Sequence, residues 1–225
     1  MKKFMFVLLS ALFLSGCINI TEEIFLEKDG SGKYLMTLDM EKMQEMLEMF
    51  KTLSPDSTQT KDLNMSAMDS IQNTMGDLAS IPGITEYKKE KKGNTYLFSF
   101  RFKDVKALND AMKKRNEKQV DKGDMYSYSP GNFSFNDTTA FGLNDAMNEL
   151  NKEAGSDSTQ AAMEMFKGMM GDMTYTTIYH FPGRVLNYSN KDAKLDTDGK
   201  TLRLELNMMD KEKVSTLRNK VTYQK

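Results

Sequence analysis

The chain of 225 residues has one cysteine, one histidine and no tryptophan. A lone cysteine excludes an internal disulfide, so the fold must rest on its core. A lone histidine, His180, leaves little from which to build a histidine-based metal centre, and no metal or cofactor is expected. No long apolar run is present: Phe4–Leu14 falls short of the about 20 residues that cross a bilayer. Charge of one sign is lacking too, with 31 basic against 32 acidic residues. No strong field therefore invites nucleic acid. A Walker loop, a dinucleotide fingerprint, HExxH, GxSxG and an EF-hand loop are all absent, and the chain is read as non-enzymatic.

What is there begins at the start. Lys2 and Lys3 precede the apolar run, and Leu14-Ser15-Gly16-Cys17 closes it. A basic start, a short apolar core and a small residue before the cut are the marks of a secretory signal peptide. The closing tetrad resembles the bacterial lipobox, whose cysteine is acylated and becomes the first mature residue. Residues 1–16 are thus read as a removed leader and 17–225 as a single domain. Acyl chains on Cys17, palmitate among them, would hold the protein on a membrane, because each buried CH₂ contributes about 0.8 kcal/mol. The resemblance implies the cell membrane or, with Ile18 after the cysteine, the outer membrane, on the extracytoplasmic side.

Three segments share one pattern: ITEEIFLEKDGSGKYLMTLDMEKMQEML (20–47), ITEYKKEKKGNTYLFSFRFKDVKALNDAM (84–112) and VLNYSNKDAKLDTDGKTLRLELNMMDKEKVSTL (185–217). Each reads as an extended stretch, a glycine-containing turn, an alternating strand, an aspartate and a helical pattern. Tyr34, Met36, Leu38 and Met40 alternate with mostly polar neighbours, as do Tyr96, Phe98, Phe100 and Phe102, and Leu202, Leu204, Leu206 and Met208. Period two predicts strands with one face buried. Asp39, Asp104 and Asp210 stand where they can cap helices. The expected fold is α+β: an antiparallel sheet of hairpins in ββα-like units, covered on one face by helices. Further strands are expected over 126–135, 174–181 and 220–224. Helices over 142–153 and 157–171 read as an insertion.

Twenty methionines is a large number, and they cluster. Met163, Met165, Phe166, Met169, Met170 and Met173 crowd one predicted helix. Core packing, an adaptable apolar surface for a protein or lipid, and Cu(I) binding by soft thioethers all suit such a cluster. His180 alternates with Tyr179 and Phe181 and is expected to face solvent. Glu22 and Glu23 are expected on solvated positions, and residues 113–124 as a charged loop. Lys88, Lys89, Lys91 and Lys92 read as a guarded sheet edge, with a contact to anionic lipid as the alternative.

The strand, Asp-Gly turn and strand of 18–40, with the strand, Pro-Gly turn and hairpin of 174–206, resemble small bacterial lipoproteins of the LppM-like type. The methionine-rich helices depart from that pattern. The resemblance implies an α+β lipoprotein domain without catalytic residues. The expected function is a membrane-anchored envelope lipoprotein that binds an envelope protein or lipid through its methionine-rich helical surface. Carriage of a hydrophobic ligand between sheet and helices is the alternative, with Cu(I) binding or an enzyme behind it.

Overall fold

The computed structural model describes residues 19–41, 78–115, 123–136, 174–207 and 217–225, together with Gln44 and Asp210. Cys17, the methionine cluster from Met163 to Met173 and the predicted helices over 142–171 lie outside the described residues.

Besides a 3-10 helix over Leu78–Ser80, before the third strand, the described residues hold eleven strands and one α-helix. In order they are β1 (Asn19–Leu26), β2 (Gly32–Asp39), β3 (Ile84–Lys92), β4 (Thr95–Phe102), α1 (Val105–Arg115), β5 (Tyr126–Ser129), β6 (Asn132–Phe135), β7 (Thr174–His180), β8 (Val185–Tyr188), β9 (Lys194–Leu195), β10 (Thr201–Asn207) and β11 (Asn219–Tyr223). They form a seven-stranded sheet, β3-β4-β2-β1-β7-β10-β9, and a four-stranded sheet, β5-β6-β11-β8.

This corrects the expected architecture. The large sheet is mixed, because β1 runs parallel to β7. Among the described residues its inner face is covered by a second sheet and a single α-helix, not by a layer of helices. The reason lies in the short alternations Phe133-Ser134-Phe135 and Val221-Thr222-Tyr223. Each gives β6 and β11 one apolar side. Those sides meet the large sheet through rings: Phe133 and Phe135 lie 5.7 and 5.9 Å from Tyr179, and Tyr223 lies 5.1 Å from Phe181. A strand too short to be stable alone is held by such cross-sheet packing.

The alternating strands bury one face. Tyr34, Met36, Phe98, Leu202 and Leu204 are all at most 2% exposed. The hairpins β1–β2 and β3–β4 pair in antiparallel register and join through β2 and β4. The third segment departs from the pattern. Its first stretch, β8, pairs with β11 in the small sheet, and β10 pairs with β7 and the two-residue β9.

Helix α1 follows β4, and Asp104 caps it by accepting the Ala107 amide at 2.8 Å. Leu108, Ala111 and Met112 are buried beneath it. Asn109 joins it to β5: Nδ2 donates to the Tyr126 carbonyl and Oδ1 accepts the Tyr126 amide, both at 2.9 Å.

Candidate functional site

Two polar constellations stand out, one inside the core and one on the outer face of the large sheet.

The inner one begins with strand parity. Ile20, Glu22 and Ile24 point the same way from β1, so Glu22 enters the core with its apolar neighbours. Its carboxylate meets Arg115, the last residue of α1, at 2.6 Å, with side chains 3% and 1% exposed. Arg115 Nη1 also donates to Tyr34 Oη at 2.7 Å. This corrects two expectations: Glu22 is not solvated, and Lys113 to Arg115 close a helix rather than open the charged loop expected over 113–124. Burial opposes the Arg115 charge. Glu22, with Tyr34, Tyr175 and Tyr126 nearby, more than offsets that, and the guanidinium pKa stands well above its ordinary value. The phenols of Tyr34, Tyr126 and Tyr175 are pushed well above the ordinary tyrosine value, chiefly by burial.

The outer constellation surrounds His180. The parallel register sets His180 beside Phe25, and the antiparallel register sets it beside Thr201. The Phe25 ring stacks on the imidazole at 4.1 Å and 4°. Nε2 lies 3.2 Å from Glu23 Oε2, and Nδ1 lies 3.2 Å from Thr201 Oγ1. Thr201 in turn donates its hydroxyl proton to Asp198 at 2.7 Å. Asp198 also accepts the amides of Lys200 and Thr201. Led by the Thr201 hydroxyl, these bonds lower its pKa to about 2. His180 is therefore half-buried and partnered rather than open to solvent.

The direction of the protons decides what this row can do. Asp198 takes the Thr201 hydroxyl proton, so that proton is not directed at His180. A hydroxyl whose proton is held by a carboxylate is not presented to the imidazole as a nucleophile–base pair requires. Thr201 is also only 7% exposed. The row joins β1, β7 and β10 across the sheet.

A groove of about 220 Å³ crosses the outer face over β2, β4 and β3, where Lys33, Lys88 and Arg101 alternate with Glu86 and Glu90. Among the described residues, no three His, Cys, Asp or Glu side chains converge as a metal site would require. Among the same residues, no helix is long and apolar enough to cross a membrane.

No family model matches the chain, and no curated protein matches it. A solved structure, the NMR structure of the folded domain of the Mycobacterium tuberculosis LppM protein, aligns over 95% of this chain and 94% of that chain. The identity is 10% and the TM-score 0.40, too slight a likeness to assign fold or role.

The sequence pointed to neither constellation as a site. Glu22 was legible from parity, since it sits between Ile20 and Ile24. Its partner, 93 residues away, carried no local signal.

Proposed function

We propose that this protein is a lipid-anchored lipoprotein of the cell envelope, without catalytic activity, that binds another envelope component. The observation that carries the reading is Leu14-Ser15-Gly16-Cys17 after a basic, apolar leader, with Ile18 alone between Cys17 and the first residue of β1. So short a tether holds the domain against its membrane. The non-enzymatic reading is supported by the proton order at Thr201 and Asp198. The binding face is the methionine-rich segment 163–173, whose thioethers can repack around a protein or lipid surface.

Purification from a bacterial host tests the anchor. The intact mass should match a chain that begins at Cys17 and carries acyl groups, and Cys17→Ala should leave the washed membrane fraction. A mature chain beginning elsewhere, or a Cys17→Ala protein that stays on membranes, would overturn it. Crosslinking from 163–173 in cells tests the binding face, which requires an envelope protein or lipid adduct there.

A further inference from the structure

We infer that the β3–β4 hairpin, through Lys91 and Lys92, is a second membrane contact that docks on anionic phospholipid headgroups. The inference rests on the anchor at Cys17 proposed above and adds to it an orientation of the domain.

The strand register carries it. Asn19, where the chain enters β1, pairs with Asp39 of β2, Asp39 with Thr95 of β4, and Thr95 with Lys92 of β3. These residues lie at one level along the strands. Three strand spacings separate Asn19 from Lys92 sideways, about 14 Å. The Gly93-Asn94 turn is fixed at this end, because the Met40 amide donates to the Asn94 carbonyl at 3.0 Å. From Cys17 to Asn19 the chain can reach only about 7 Å. With the strands standing upright on an anchoring membrane, the hairpin lies about as close to it as the range over which charges act at physiological salt, about 8 Å.

Guarding a sheet edge does not by itself explain where these lysines are. The half of β3 away from the anchor end, Ile84 to Tyr87, has no lysine. That half is blunted instead by a shift of register between Thr85 and Lys88, with Glu86 at φ 51°. All four lysines of β3 fall in the half toward the anchor. Lys88 and Lys92 lie on the outer face, by their pairing with Ser99 and Thr95. Lys89 and Lys91 lie on the other side, over the rings of Phe98 and Tyr96 at 5.8 and 5.1 Å. Glu90 is the acid within the run. Its contact with Lys92 at 3.6 Å is an exposed pair of little strength. Asp39 stands two strands inward, about 10 Å away, where salt screens it. A lysine close to an anionic surface favours it by about five-fold.

The test uses the full mature chain, purified with its own anchor and reconstituted with vesicles of phosphatidylcholine, alone or mixed with phosphatidylglycerol. Lysines are labelled with an amine-reactive ester and read by peptide mass spectrometry. Lys28 and Lys33, exposed at the opposite end of β1 and β2, are the reference within the same molecule. On phosphatidylglycerol vesicles, labelling of Lys91 and Lys92 should fall several-fold against the reference and recover in high salt. If the protein binds both vesicles and the ratio does not change, the anchor stands and the lysine contact is overturned. If it binds neither, both fail. If it binds only the phosphatidylglycerol vesicles with Lys91 and Lys92 shielded, the lysine contact stands and the anchor fails.

Discussion

Arg115 at the end of α1 and Glu22 in β1 form an ion pair at 2.6 Å with both side chains almost wholly buried. The pair fixes the helix over the sheet at one point, because an arginine one turn away would leave Glu22 alone among Ile20, Ile24 and Met36. Removing one partner of such a pair leaves a buried charge and costs about 3–5 kcal/mol, whereas replacing both with apolar residues is far less damaging. Arg115→Met or Glu22→Leu alone should each lower stability by about that much in urea unfolding, and the double variant should recover most of it. Single variants within about 1 kcal/mol of the parent would show that the pair is not buried as described.

The tyrosines around the pair give a second test. Burial holds the phenols of Tyr34, Tyr126 and Tyr175 above the ordinary value of 10. A pKa raised on folding means stability that is fully present below the unfolded value and lost as pH climbs past it. Alkaline spectrophotometric titration should therefore show these three of the nine tyrosines ionising only with unfolding. A smooth titration of all nine in a folded protein would contradict the core assigned to them.

The strands of the large sheet were legible because their pattern is local. Tyr96, Phe98, Phe100 and Phe102 alternate in an uninterrupted run, and the turn at Gly93 announces the hairpin. The small sheet was less so. The hairpin β5–β6 could be read from Pro130-Gly131, but nothing near Val221 says that β11 lies between β6 and β8. The parallel pairing of β1 with β7 joins residues 155 positions apart, as Thr174 Oγ1 and Asn19 Oδ1 show by hydrogen bonding. Such long-range choices are made by packing, which no window of sequence contains. His180 illustrates both sides. Its outer-face position followed from alternation, whereas its partners Glu23 and Thr201 came from strands on either side.

Phe98 and Phe100 are the direct check on strand parity, being 0% and 1% exposed. Phe100 also stacks on Tyr34 at 4.9 Å. Truncating a buried phenylalanine costs about 3–5 kcal/mol through lost burial and the cavity left behind. Phe98→Ala should show that loss, whereas Leu97→Ala, on the outer face, should cost clearly less. Equal losses at both positions would mean that the two faces of β4 are not differently buried.

Asp198 carries the last prediction. Its carboxyl accepts the Thr201 hydroxyl and the Lys200 and Thr201 amides, which lowers its pKa from 3.8 to about 2. A pKa depressed on folding contributes stability that is present above the unfolded value and lost as pH falls through the folded one. The parent should therefore be more stable than Asp198→Asn at neutral pH, and the gap should narrow between about pH 4 and pH 2. The same substitution leaves one acceptor oxygen for the three donors that the carboxylate now serves, so the contact between Thr201 and His180 should loosen, read as a shift of the His180 ring resonances. A gap that stays constant down to pH 2, with those resonances unmoved, would show that Asp198 does not hold the row together.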